Sequence, residues 1–396
     1  MHFFHPTPLN IVEQYIASRI KGKYFEKVLD PCVGDGALLT SLENNFNSIT
    51  IIDIDSEKLN NFSDKNFIKY CGDFLDLEID KNFDLILCNP PFNNKSISGQ
   101  SIEEKFLKKC LKLIINNGYG IFILPSSIIN GTKSKKIREF IVKNYTILSI
   151  DILPKKTFNK IESHFYIIIL KSTPPSNNYN FETNIGNFNI NSIIKNDYAT
   201  LNPKYLFSLL KYEKLLKKIP TFKLSKENLF RGNTEKNFFP LHTTHFSSFF
   251  CNINFYHEKK ANDKYIKKYD LLCKRVGRDC HNSFSIFLSE RETNLSDCII
   301  VIPSTSNNLR YNLINLLNIR LSILFGASSN FLIDGSGANY IPIKKLKQTN
   351  FLNFKEYLSK KDIKKFFYLL RKKDIRSLVS FEKKLMEKIL KNIKNL

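Results

Sequence analysis

The chain has 396 residues, 42% of them hydrophobic and 24% charged, which suits a soluble globular protein with room for two or three domains. No apolar run approaches the length of a membrane span, and the N-terminus MHFFHPTPLN lacks the basic-then-apolar layout of a signal peptide. The net charge of +23 is lopsided: residues 1–200 carry +2 and residues 201–396 carry +21, so the second half is expected to meet a polyanion, nucleic acid first.

The eight cysteines form no CxxC pair, which predicts reduced thiols in a cytoplasmic compartment. Cys251, His257, Cys273, Cys280 and His281 match no zinc-knuckle spacing, and no metal site is assigned.

The first element is FFHPTPLNIVEQYIASRI. Thr7-Pro8 predicts a helix N-cap followed by proline at the first helical position, and Ile11, Val12, Tyr15, Ile16 and Ile20 recur at helical spacing. Next, KVLDPCVGDGALLTSL reads as a strand ending near Asp30, a turn carrying Gly34 and Gly36, and a helical run from Ala37 to Leu42. The turn lacks the GxGxxG fingerprint, and an aspartate there repels a pyrophosphate. A cationic cofactor fits better, and S-adenosylmethionine carries both an ammonium and a sulfonium.

The segment SITIIDID supplies a second strand ending at Asp53, about where doubly wound folds place a ribose-binding acid, with Ile54 placed to pack on an adenine ring. A third strand, Phe67 to Cys71, leads to Gly72-Asp73-Phe74, an acidic acceptor beside an aromatic. A fourth, the apolar run Leu85 to Cys88, leads into Asn89-Pro90-Pro91-Phe92. Asparagine offers an amide oxygen to an amino group, consecutive prolines leave carbonyls free of sheet pairing, and Phe92 offers a stacking face. These residues all fall at carboxyl ends of strands, where open α/β sheets bind ligands.

Taken in order, these motifs resemble the amino-group DNA methyltransferases of the N6-adenine type, over residues 3 to about 172 and with the gamma motif order. The helix at Ile102–Leu107, the strands at Asn117–Pro125, Ile147–Leu153 and His164–Leu170, and Lys156-Thr157-Phe158 complete the pattern. The chain departs from it at His5, where the family more often has an aromatic, and in having no proline after Phe158. The resemblance implies a Rossmann-like class I methyltransferase sheet. It implies cofactor contacts at Thr7, Pro8, Asp30, Gly34, Gly36, Asp53, Ile54, Asp73 and Phe74. It puts catalysis on Asn89, Pro90, Pro91 and Phe92, with Phe158 facing a flipped base or, as single aromatics in strands usually are, packed in the core.

Residues 173–205 are rich in Ser, Thr, Pro and Asn and are expected as a linker. From 206 to 348 the texture changes to short strands and turns. Leu229–Asn233, Tyr269–Arg278, the helix Leu309–Phe325, Gly335-Ser336-Gly337 and Ile341-Pro342-Ile343 resemble target-recognition domains of gamma methyltransferases and type I specificity subunits. Arg231, Arg275 and Arg278 are the expected DNA contacts, in a mixed α+β DNA target-recognition domain. Residues 349–396 read as basic helices, either lining DNA or solvated against the domain.

The expected activity is therefore site-specific methylation of adenine N6 in double-stranded DNA, as part of a restriction-modification system. The helix motif begins at Phe3, which leaves no room for an N-terminal nuclease, so a restriction endonuclease is expected on a separate chain. Three alternatives share parts of this pattern: an RNA adenine-N6 methyltransferase, a protein glutamine methyltransferase, and a DNA-binding specificity protein with an inactive methyltransferase lobe. The +21 second half speaks against a peptide substrate, and intact Asn89, Asp30 and Asp53 against an inactive lobe.

Overall fold

Strand-forming runs of Val, Ile, Leu and Phe alternate with helices through the first half, and they assemble one seven-stranded sheet. Its strands are β1 (Phe25–Asp30), β2 (Phe46–Asp53), β3 (Phe67–Cys71), β4 (Phe83–Cys88), β5 (Ile114–Pro125), β6 (Thr146–Ile152) and β7 (Phe165–Lys171). Their order is β3-β2-β1-β4-β5-β7-β6; every pair is parallel except those made by β7, which runs antiparallel to β5 and β6. This is the class I methyltransferase arrangement. The computed structural model describes residues 5–80, 82–92, 101–158, 163–224, 228–232, 241–246, 265–277, 280–290, 293–327, 332–333 and 340–394. They fall into two compact units, Met1–Leu206 and Phe207–Leu396.

The first helix, α1, covers 9–20 and contains one π turn, Glu13–Ala17. Ile11, Val12, Tyr15, Ile16 and Ile20 are all buried against Val28, Ile49 and Leu85 of the sheet, as their spacing predicts. The capping prediction differs: the helix starts at Leu9 with Pro8 as its cap residue, and the Thr7 hydroxyl is engaged elsewhere. The run from Ala37 to Leu42 closes as a 3₁₀ helix. Thr40 and Ser41 donate their hydroxyls to the carbonyls of Ala37 and Leu38, each at 2.7 Å, and Glu43 and Asn44 then turn left-handed.

Residues 173–205 do not behave as a linker. Glu182 bridges to Ser149 of β6, and Phe181, Phe188, Ile190, Ile193 and Leu201 are buried. Arg138, at 1% exposure, donates to the carbonyls of Ile128, Gly131, Tyr198 and Ala199 at 2.8–2.9 Å, tying the segment to the sheet lobe. Polar composition points to a linker because these contacts are made by backbone carbonyls, which composition does not register.

In the second unit, Leu271–Lys274 and Ile299–Ile302 centre a four-stranded antiparallel sheet flanked by Phe230–Arg231 and Ser285–Ile286. Helix Leu309–Ser322 lies in its core. The C-terminal helices Lys360–Lys372 and Ile375–Lys394 belong to that same core through Ile363, Phe366, Leu378, Phe381 and Ile389. A buried ion pair, Arg320 Nε to Glu382 Oε1 at 2.5 Å, joins the central helix to the last one. The tail is thus part of this unit's core.

Replacing Arg138 with methionine strands four carbonyls and is expected to cost about 3 kcal/mol or more. Amide hydrogen exchange across 190–202 should rise sharply in this variant; unchanged protection there would show that Arg138 does not hold the segment.

Candidate functional site

The strand order reverses at β1, whose neighbours are β2 on one side and β4 on the other. The segments leaving the carboxyl ends of β1, β2, β3 and β4 there surround a cavity of about 200 Å³. Asp30, Asp53, Ile54, Asp73, Phe74 and Asn89 line it, with Pro90, Pro91 and Phe92 along one wall. Helix Ile102–Leu113 contributes Ile102 and Phe106, as its position in the sequence pattern anticipates.

Asn89 is fixed by the chain's first described residues. Its Nδ2 donates to Thr7 Oγ1 at 2.9 Å and to the His5 carbonyl at 3.3 Å. A carbonyl only accepts, so the amide nitrogen must face His5, and this assigns the orientation of the side chain. Its Oδ1 is left buried and without a hydrogen-bond partner. A buried acceptor of this kind is costly unless something donates to it. The Asn89 carbonyl accepts from Cys32 Sγ at 3.1 Å, which ties the β4 turn to the β1 turn. Nothing in the sequence marks His5 and Cys32 for these roles. Neither has a distinctive spacing, and both act through single contacts across the sheet edge.

The two glycines shape the turn instead of lining the cavity. Gly34 and Gly36 hold φ of +52° and +77°, and a Cβ on Gly36 would stand 2.7 Å from the Phe62 ring. The Gly34 amide donates to Asp53 Oδ2 at 2.9 Å, and the Asp55 amide donates to Asp53 Oδ1 at 3.0 Å. Thr7 lines the cavity but spends its hydroxyl on Asn89, while Pro8 only starts the helix. Ile54 is half exposed on the cavity wall, and Phe74 is buried against Phe106 with ring centroids 5.1 Å apart.

Asp30 is 1% exposed, and its Oδ1 accepts from the Cys32 amide at 3.1 Å. Burial pushes its carboxyl up to about 7; the Cys32 hydrogen bond opposes this, and the nearby Asp53 adds to it. Asp35 and Asp55 bring the aspartates on the cavity to five, against Lys58, which pairs with Asp35.

Phe158 differs from its expected place. It is 3% exposed and packs edge-on against Phe92 and Phe165, with centroids 5.3 and 4.6 Å away. Buried among these rings, it backs Phe92 where a free stacking face was expected. Among the arginines, Arg231 is exposed at the end of its strand, whereas Arg275 donates Nε to the Asp297 carbonyl at 2.7 Å and pairs with its carboxylate at 3.1 Å. Arg278 and Gly335-Ser336-Gly337 lie outside the described residues.

Residues 35–158 match the Eco57I restriction-modification methylase family. The chain is 26% identical over 171 residues to the modification methylase CviBIII of Paramecium bursaria Chlorella virus NC1A, covering 39% of this chain and 45% of that one. It is 24% identical over 181 residues to the type II methyltransferase M.CvrRI of Paramecium bursaria Chlorella virus XZ-6E, covering 41% and 48%. The chain thus matches about half the length of these curated relatives. A type I restriction-modification methyltransferase subunit from Streptococcus thermophilus superposes with a TM-score of 0.41 at 18% identity, over 50% of this chain and 58% of that one.

S-adenosylmethionine is the cofactor of this fold, and the donor set suits it. Five aspartates against one lysine favour a ligand bearing a sulfonium and an ammonium over a phosphorylated one.

Because Asp30 titrates near 7 when folded and near 4 when unfolded, the folded state holds the extra proton between those values. Stability of the ligand-free lobe therefore falls as pH rises through that window, by up to roughly 4 kcal/mol at about 1.4 kcal/mol per unit. Asp30→Asn removes the penalty while keeping the acceptor for Cys32. Urea midpoints are expected to separate in favour of the variant at pH 8, to close by more than half near pH 5 and to meet only below about pH 4; an equal separation at pH 8 and pH 5 would show that Asp30 is not strained.

Proposed function

We propose that this chain is a site-specific DNA adenine-N6 methyltransferase, the modification component of a restriction-modification system. The observation that carries the reading is the Asn89 amide oxygen, buried, oriented and unpartnered on the floor of an acidic cavity. The family match over residues 35–158 supports a DNA-modification role, and the +21 second half supports a nucleic-acid substrate.

When bound, S-adenosylmethionine supplies an electrophilic sulfonium methyl group. In the proposed arrangement Asp30 meets its ammonium, Asp53 its ribose hydroxyls, and Asp73 with Ile54 and Phe74 its adenine. The target adenine leaves the duplex, at a cost of a few kcal/mol, and stacks on Phe92. Its amino nitrogen is a poor nucleophile because the lone pair is delocalised into the ring. Asn89 Oδ1 accepts one amino hydrogen and a carbonyl of the Pro90-Pro91 segment accepts the other. That draws the lone pair out of conjugation and aims it at the methyl group. Rate enhancement then comes from positioning and fixed dipoles, with no covalent bond to the chain. Thr7 and the His5 carbonyl act by keeping the oxygen of Asn89, and not its nitrogen, toward the substrate. Arg231 and Arg278 are proposed contacts to DNA, whereas Arg275 is occupied by Asp297 and is proposed to brace the recognition unit.

Asn89→Ala is expected to bind S-adenosylmethionine normally while losing methyl transfer by about 100-fold or more. Single-molecule sequencing of DNA from cells expressing the wild-type chain should show N6-methyladenine in one recurrent motif, absent with the variant. Unmodified DNA would refute the substrate assignment, and full turnover by Asn89→Ala would refute the catalytic one. Thr7→Val removes one of the two acceptors that orient Asn89, so kcat should fall about tenfold with cofactor affinity little changed.

The Asp30 carboxyl also predicts a pH dependence. An ammonium beside it favours the ionised form, so cofactor binding should release a proton near pH 6.5 and tighten as pH rises to about 8. Calorimetry in buffers of different ionisation enthalpy measures that proton; no release would remove Asp30 from the ammonium site.

A further inference from the structure

Helix Lys360–Lys372 has one face in the core and the other in solvent. Ile363, Phe366, Leu369 and Leu370 are buried. Lys360, Lys361, Lys364, Lys365, Arg371 and Lys372 are all exposed, with Tyr368 among them at 54% exposure. The only acid in the helix is Asp362, and it is already committed. Its carboxylate closes the capping box with Ser359 and accepts from Lys388 of the following helix at 2.8 Å. Among the described residues, Lys360, Lys361, Lys364 and Lys365 make no ion pair.

This charge pattern works against the helix that carries it. Lys360–Lys364 and Lys361–Lys365 are like-charge pairs four residues apart, each unfavourable by a few tenths of a kcal/mol. Lys360 and Lys361 also sit in the first turn, where the helix dipole already places positive charge. Elsewhere among the described residues two helical lysines are paired with acids at that same spacing: Lys108 with Glu104 at 2.8 Å, and Lys143 with Glu139 at 2.7 Å. A merely solvated face gains nothing from withholding acids. The following helix extends the pattern with exposed Arg376, Lys383, Lys384, Lys388 and Lys391, against Glu387 and the Asp374 at its start.

We propose that the outer face of Lys360–Lys372 binds the phosphate backbone of duplex DNA, holding the substrate without reading its sequence. The proposal rests on the assignment of DNA as substrate and adds a binding surface to it. From Lys361 to Lys372 the face extends about 16 Å, against one phosphate charge per roughly 1.7 Å of duplex axis, so several phosphates lie within its reach. Tyr368, beneath Lys372 Nζ at 4.8 Å from its ring, adds a hydroxyl that can donate to a phosphate oxygen.

The test uses the full chain with Lys360→Gln, Lys361→Gln, Lys364→Gln and Lys365→Gln combined. All four side chains are exposed and the repulsion is relieved, so the thermal midpoint should hold or rise. Anisotropy with a fluorescent duplex of about 30 base pairs, titrated across salt, should show affinity weakened about tenfold or more at low salt. The slope of log K against log[salt] should flatten by about 2 to 4, at roughly 0.9 for each phosphate that the variant no longer neutralises. S-adenosylmethionine affinity should not change, and kcat at saturating duplex should be retained with a raised KM for DNA. Unchanged DNA affinity and slope would overturn the proposal, as would a variant that loses binding only to phosphatidylserine vesicles. Anisotropy reads the surface without any methyl transfer, so wild-type chain that binds duplex but methylates none counts against the proposed reaction alone. Wild-type chain that binds single-stranded RNA and ignores duplex DNA overturns both.

Discussion

The site depends on one hydrogen-bonded arrangement, the donation from Asn89 Nδ2 to Thr7 Oγ1 and the His5 carbonyl. A primary amide has two nearly isosteric ends with opposite chemistry. Which end faces the cavity decides whether the floor attracts an amino group or repels it. The chain settles this with an acceptor from the segment ahead of α1, some eighty positions away in sequence. The buried apolar face of α1 fixes that segment against the sheet, so packing in the core and polarity in the cavity are one construction. The proline pair after Asn89 and the Cys32 thiol on its carbonyl restrict the remaining freedom of the turn.

Much of the sheet lobe is legible in the sequence because its signals are local. Runs of four to seven apolar residues locate β6 and β7 to within a residue and β4 to within two, and the 3.6-residue recurrence of Ile11, Val12, Tyr15, Ile16 and Ile20 locates the buried face of α1. Polar residues at the ends of successive strands point to one rim, and Asp30, Asp53, Asp73 and Asn89 do share a cavity. What escapes depends on partners distant in sequence. Thr7 has the composition of a cap and the role of a brace. Phe158 has the look of a stacking residue, yet it is buried against Phe92 and Phe165. Residues 173–205 have the composition of a linker, but Arg138 gathers their carbonyls from a helix well upstream.

The second unit shows the same limit more strongly. Its strands are two to four residues long, too short for alternation to be read with assurance, and the helix Leu309–Ser322 shows no apolar stripe because Asn312, Asn318, Arg320 and Ser322 are buried along with its leucines. Arginine is the residue type expected to meet nucleic acid, and type alone does not distinguish the exposed Arg231 from Arg275, which Asp297 holds. The tail's amphipathic pattern is visible in the sequence; that its apolar side completes a core already containing Tyr212 and Phe351 is not.

The buried carboxyl of Asp30 links the lobe to its surroundings in the cell. With the proposed ammonium site beside Asp30, a carboxyl strained by burial and relaxed by a cation would make the cofactor a folding ligand as well as a reactant. Ligand-free copies would then open more often, and opening is what proteases act on. Abundance of the intact chain would then follow the supply of the methyl donor, with copies lacking it cleared first. In that sense a single buried acid would make the lifetime of the chain depend on whether it is able to act.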